Sequence, residues 1–222
     1  MMTQKTTLRQ RLTDIRAPRP EGTIGRKLAV TAGIGVAGAL LGVFQKWLDS
    51  MAVGELPRLF QMIDLTNLFG RIAIWILLAT VIAVFAPTPR RASLNTFVFF
   101  AGMLAGYYVY CQFVLGFLPV SYMMIWVVLA FVSLPLAYIC WYARGEGRVS
   151  TVISGGILGV LLAQTFWLVQ GPSGFCLTHA AELVILVVGA IVLHRDIKQT
   201  LIALGISVPA AVLCQLFLPY WA

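Results

Sequence analysis

One ionisable residue lies deep inside an apolar run of this chain: Glu182, in Thr178-His179-Ala180-Ala181-Glu182-Leu183-Val184. A carboxylate in such a run is costly in hydrocarbon and marks a candidate charged contact or proton carrier. His179 stands three residues earlier on the same helical face, within reach of a hydrogen bond or a shared proton. One histidine and one glutamate are too few ligands for a metal. The four cysteines, Cys111, Cys140, Cys176 and Cys214, have no CxxC pairing and read as small apolar fillers of helices. No metal or cofactor is expected.

The other strong polar groups fall at one depth. Gln45, Lys46 and Asp49 end the first apolar run; Tyr107, Tyr108, Tyr110 and Gln112 end the third; Gln164 lies late in the fifth and Gln215 late in the seventh. With the orientation derived below, all of these lie in the outer half of the membrane. The inner halves offer only serines and threonines, such as Thr31, Thr80, Thr96 and Ser154, and, at the interface, Asn95. This gathering predicts a polar, aromatic-lined cavity open to the outside, with Glu182, His179, Gln164, Gln112, Tyr108 and Lys46 as its substrate-binding lining. The alternative is structural: the same groups snorkel to headgroups, and Lys46 or His179 neutralises Glu182 to hold helices together.

The elements that position these residues follow from composition. Of 222 residues 60% are hydrophobic and only 11% charged, and the mean hydropathy is +0.90. Those values exclude a water-soluble globule and a disordered chain, and indicate a polytopic membrane protein. The fold class is therefore all-α, a transmembrane bundle of about seven spans at roughly 28–47, 68–86, 94–116, 122–142, 149–169, 175–193 and 199–218. The second span is the weakest, because Arg71 must snorkel for it to cross. Thirteen of the sixteen cations fall in the tail and in alternate loops. The positive-inside rule then puts the N-terminus inside and the C-terminus outside. The net charge of +8 is accordingly a topology signal and gives no reason to expect nucleic acid.

Residues 1–27 form a basic cytoplasmic tail in which Leu8, Leu12 and Ile15 mark a short amphipathic helix, suited to anionic headgroups or simply mobile. The single transmembrane domain covers 28–222, with an outer loop at 48–67 where Leu56, Leu59, Phe60 and Ile63 recur at helical spacing. Ala29, Gly33 and Ala37 recur every four residues, as do Gly38 and Gly42. Such stripes admit a second helix, from this chain or from a partner protein or second copy. Pro135 and Pro209 predict kinks. No nucleotide-binding, zinc-protease, serine-hydrolase or channel-filter motif is present, and no internal repeat stands out.

The segment Arg71–Gly147, with Ser121-Tyr-Met-Met-Ile-Trp126 and Ala137-Tyr-Ile-Cys-Trp-Tyr-Ala-Arg-Gly145, resembles an uncharacterised family of small bacterial multi-spanning membrane proteins. That resemblance implies no activity. A looser architectural likeness is to the substrate-binding subunits of energy-coupling-factor transporters, with Ala29-x-x-x-Gly33-x-x-x-Ala37 in the place of their docking stripe. It implies an outward pocket, a lid loop and a partner, although those subunits have six spans. The expected function is binding or transport of a small solute through an outward-facing polar pocket in the bacterial cytoplasmic membrane. The alternatives are a non-transporting subunit or scaffold and, third, an intramembrane enzyme.

Overall fold

In hydrocarbon every backbone N–H and C=O must be paired within its own segment, so apolar runs of this length become helices. The computed structural model describes residues 8–51, 56–62, 64–168, 176–177 and 180–217, and these are almost wholly helical. In order they are α1 Leu8–Ile15, α2 Ile24–Ser50, α3 Arg58–Met62, α4 Leu65–Gly70, α5 Ile72–Phe85, α6 Pro89–Tyr110, α7 Val120–Cys140, α8 Gly147–Thr165, α9 Ala180–Leu193 and α10 Ile197–Phe217. A π-helical turn at Cys111–Leu115 extends α6, and a 3-10 turn at Trp141–Arg144 extends α7. Five of the helices, α2, α6, α7, α8 and α10, are long and apolar enough to cross a membrane. The chain has the architecture of a multi-pass membrane protein.

Each of the seven apolar runs holds one of these helices, with three differences. The second run breaks at Arg71, which is extended (φ −94°, ψ 149°) between α4 and α5. The fifth run's helix ends at Thr165, where Phe166–Trp167 pairs antiparallel with Cys176–Leu177, and the described helix of the sixth run is Ala180–Leu193. Helices α5 and α9 therefore have only 14 residues each, roughly 21 Å of rise, against an apolar layer of about 30 Å. The helix foreseen in the outer loop is α3; Ile63 lies outside the described residues.

Glycine governs the tightest packing. A Cβ at Gly38 would fall 2.2 Å from the Phe99 carbonyl oxygen of α6, and one at Gly42 2.0 Å from that of Met103. From the other side, Cβ atoms at Gly102 and Gly106 would meet the Gly35 and Ala39 carbonyls at 2.2 and 2.0 Å. Helices α2 and α6 thus touch backbone to backbone. The Ala29, Gly33 and Ala37 stripe is on another face: all three residues are exposed, and a Cβ at Gly33 would meet nothing within 4 Å. Within the described chain it packs no helix.

Helices α8 and α10 repeat the arrangement. A Cβ at Gly38 would stand 2.2 Å from Phe99 O and 3.2 Å from Met103 N; one at Gly159 would stand 3.0 Å from Ser207 O and 3.3 Å from Ala211 N. Ser207 and Ala211 follow Phe99 and Met103 by 108 positions, and the same offset carries α5 onto α9 and the start of α6 onto the start of α10. Even the caps match: Thr88 Oγ1 accepts from Arg91 N, and Asp196 Oδ2 from Gln199 N. The bundle is two three-helix units, α2-α5-α6 and α8-α9-α10, joined by α7. The units meet where the short helix α5 packs on α9 and α8, through Ala73 and Leu77 of α5, Leu161 of α8 and Ile185 of α9.

The tail folds back onto the bundle. Leu12 and Ile15 of α1 pack against Trp141, Tyr142, Ala83 and Ala137, and Glu146 N donates to the Ile15 carbonyl at 2.7 Å. Arg16 donates to the carbonyls of Val84 (2.8 Å) and Trp141 and stacks on the Trp141 ring. Arg19 does the same for Phe85 and Ala86. These carbonyls are the orphan acceptors of helix ends. Burial, helped by nearby Arg19, Arg144 and Arg195, lowers the Arg16 guanidinium to about 10. The amphipathic helix expected from the sequence is present as α1, and Leu12 and Ile15 of its stripe pack on the bundle. Glu21, held below the usual carboxylate range by Lys27 and Thr88, pins the next turn.

Gly106→Val is expected to lose about 3 kcal/mol or more of stability, since the obstructing atoms are backbone. Gly33→Val should change stability by no more than about 0.5 kcal/mol. Thermal unfolding of the two variants in one detergent checks both. Equal midpoints would show that the glycine contact between α2 and α6 is dispensable.

Candidate functional site

The residues expected to line an outer polar pocket are dispersed. Glu182, 1% exposed in the first turn of α9, receives two hydrogen bonds from Arg71 Nη1, at 2.8 and 3.0 Å. Arg71 Nη2 bonds Asp64 at 2.8 Å. The break between α4 and α5 allows this, because it turns Arg71 toward α9. Asp64 adopts a left-handed conformation (φ 51°), and its other oxygen accepts from Asn67 Nδ2. The partner of Glu182 is thus a cation assigned by sequence to the interface, and the contact ties the two short helices together. His179 lies outside the described residues.

Lys46 pairs with Asp49 at 3.2 Å and sits 5.3 Å from the Tyr107 ring centre. Gln164 is buried in the last turn of α8, Tyr108 is half-buried and Gln112 is exposed on the π-helical turn. Gln215 clamps the end of α8: its Nε2 donates to Ala163 O and Phe166 O, and its Oε1 accepts from Leu168 N. Gln45 and Trp75 both donate to the Phe69 carbonyl, at 3.3 and 3.0 Å, closing the end of α4. Many of the outer polar groups therefore satisfy helix ends or each other.

The large cavity lies elsewhere. Between α5 and α6 of the first unit, α7, and α8 of the second there is a chamber of about 480 Å³. It exists because α7 leans on α6, through Phe97 against Phe131 and Ser93 on the Leu134 carbonyl, while α8 is held against α10. Small side chains leave the gap unfilled; a Cβ at Gly156, on the chamber wall, would meet nothing within 4 Å. Trp75 and Trp126 form one end. There a niche of about 20 Å³, bounded by Gln45, Tyr107 and Met123, shares Met103, Leu104 and Trp126 with the chamber. At the other end Ala137, Cys140 and Ile153 separate the chamber from Leu12 and Ile15 of the docked tail.

Among the described residues no charged side chain lines the chamber, and neither space is lined by Glu182, Gln164, Gln112, Tyr108 or Lys46. Its polar wall groups are Thr80, Thr96 and Ser133, together with the indole nitrogens. Apolar walls of this kind disfavour an ion, whose lost hydration they do not replace. Among the described residues no group of three metal-ligating side chains converges. No known protein family, curated protein or solved structure matches the chain, so the chamber is read from its own geometry. Sequence reasoning named Thr80 and Thr96 as inner hydroxyls and read Gly155, Gly156 and Gly159 as a close helix approach; Gly155 and Gly159 do meet α10, whereas a Cβ at Gly156 would meet nothing within 4 Å, since an unfilled space leaves no residue signature.

Removing Arg71 takes the guanidinium away from the buried Glu182 carboxylate, whereas removing Glu182 leaves Arg71 still paired with Asp64. Arg71→Leu should therefore cost about 3–5 kcal/mol, and the double variant Arg71→Leu/Glu182→Leu should regain most of that loss. Thermal melts across the full double-mutant cycle read the coupling. Additive losses would show that the pair does not hold α5 to α9.

Proposed function

We propose that the chain is a seven-span membrane protein, N-terminus inside, that binds a membrane-soluble, uncharged small molecule in the chamber at the junction of its two units. The observation that carries this reading is the chamber itself. Its volume of about 480 Å³ falls in the range of roughly 300–1,000 Å³ typical of small-molecule sites, and apolar walls favour a ligand that partitions into lipid. Sites of membrane carriers built from two related units recur at the unit interface near the midplane, and this chamber borders both units. The ligand class replaces the polar solute expected from the outer polar residues, because Glu182 and Lys46 are engaged in ion pairs. Binding or carriage is retained; the polar entrance is not.

The orientation rests on the cation distribution and on mutual contacts of the basic ends: Arg91 reaches the Lys27 carbonyl, and Arg195 the Arg144 carbonyl and Glu146. Single cysteines at Arg90, Arg148 and Lys198 in a cysteine-free background should react with an impermeant maleimide only after cells are opened. Labelling of any of the three in intact cells would overturn the seven-span topology.

Ligand occupancy is tested in nanodiscs with a brominated long-chain probe, which quenches Trp75 and Trp126 from within the chamber. Gly156→Phe fills the space without meeting backbone and should weaken quenching at least tenfold while leaving the melting midpoint intact. Undiminished quenching in that variant would sink the proposal. A second reading, a subunit that docks a helix of another protein, rests on the exposed Ala29, Gly33 and Ala37 stripe.

A further inference from the structure

We propose that the end of the bundle where the tail docks binds the phosphate of an anionic membrane lipid, held among Arg16, Arg19, Arg144 and Arg195. This site is separate from the chamber and does not depend on the chamber being occupied. The four guanidiniums come from three parts of the chain and meet around the last turn of α5 and the 3-10 turn that extends α7. Arg16 Nη2 donates to the Val84 carbonyl at 2.8 Å, and Arg19 Nη2 to that of Phe85 at 3.1 Å. Arg144 stands 5.1 Å from the centre of the same Phe85 ring. Arg195 Nη1 donates to the Arg144 carbonyl at 3.1 Å. Among the described residues the one carboxylate paired with any of the four is Glu146, 2.6 Å from Arg195.

Like charges gathered in this way repel, and Arg19, Arg144 and Arg195 add to burial in lowering the Arg16 guanidinium. Topology alone does not call for such crowding, because the positive-inside rule counts cations and does not require them to converge. Helix-end carbonyls draw Arg16 and Arg19 in, but a neutral acceptor leaves their charge uncancelled. Four cations therefore face one carboxylate. The donors that an anion needs are present as well. Arg144 is half-buried and donates to no acceptor among the described residues, so its fork of N–H groups is open to a ligand. A planar guanidinium matches phosphate oxygens through paired N–H donors, and basic pockets beside transmembrane helices suit anionic headgroups. The flank of the cluster favours a lipid over a free phosphate. Phe85, whose ring lies under Arg144, is 55% exposed, an apolar surface that an acyl chain covers and an inorganic ion does not.

Native mass spectrometry of the full chain, titrated with phosphatidylglycerol or phosphatidylcholine in one detergent, reads the binding. Phosphatidylglycerol should bind at least about tenfold more tightly, since its phosphate is not offset by choline and meets more than one cation. Arg19→Gln and Arg144→Gln should each weaken phosphatidylglycerol about fivefold and leave phosphatidylcholine unchanged. Arg26→Gln removes an exposed cation outside the cluster and should change neither. Bound phosphatidylglycerol should also slow hydrogen exchange at the Arg19 and Glu146 amides, which donate to Pro87 and Ile15 across the docked tail. Equal affinity for the two lipids in the wild-type protein would overturn the inference. So would an equal loss in Arg26→Gln, the mark of diffuse surface attraction, or unchanged exchange at both amides, which would place the lipid elsewhere. Displacement of the lipid by inorganic phosphate at equal concentration would overturn its assignment to a membrane lipid. The wild-type comparison is decisive even where a variant folds poorly.

Discussion

Everything in this bundle depends on two pairs of helices approaching to backbone contact. In lipid there is no hydrophobic gain in joining helices, because the chains around them are as apolar as their side chains. Association must come from dispersion at close range, and that requires surfaces without side chains. Gly35, Gly38 and Gly42 supply one such surface against Gly102 and Gly106; Gly155 and Gly159 supply the other against Ala203, Ser207 and Ala210. Two rigid pairs result, and the remaining helices take positions relative to them.

The short helices α5 and α9 lie where the units meet, and their brevity creates a problem that the charged cluster resolves. A helix of 14 residues is shorter than an apolar layer of about 30 Å, and unpaired backbone groups or an isolated charge near its end would be expensive in hydrocarbon. Phe69 O, at the end of α4, takes two donors, and the Arg71 guanidinium lies between Glu182 and Asp64. Desolvating such a pair offsets much of its attraction, so its value lies in fixing α5 against α9 and not in net stability. The opposite end of α5 is closed differently. There Arg16 and Arg19 cap the carbonyls of α5 and Trp141, which is why the tail belongs to the fold.

Much of this was legible in the sequence. The apolar runs marked seven helices because hydropathy and helix formation are the same constraint in lipid. Gly38 and Gly42 were readable as a packing surface, and Leu8, Leu12 and Ile15 as an amphipathic helix. What was hidden depends on pairing across distance. Arg71 and Glu182 are 111 positions apart, and nothing local in either segment selects one over Lys46 or His179 as the partner. The two-unit repeat escaped notice because its signal lies in carbonyl positions: Phe99 and Ser207 occupy equivalent places and share only a backbone oxygen that receives a glycine.

The chamber follows from these constraints rather than from any motif. Two rigid pairs joined by one connecting helix cannot close on all sides at once. Helix α7 is committed to α6 by Ser93 and Phe97, and it leaves a gap toward α8 that Ala79 and Gly156 do not fill. A gap walled by apolar side chains offers few polar partners to hold water, and the polar groups near it are largely committed: Trp75 donates to the Phe69 carbonyl and Ser133 to that of Ala130.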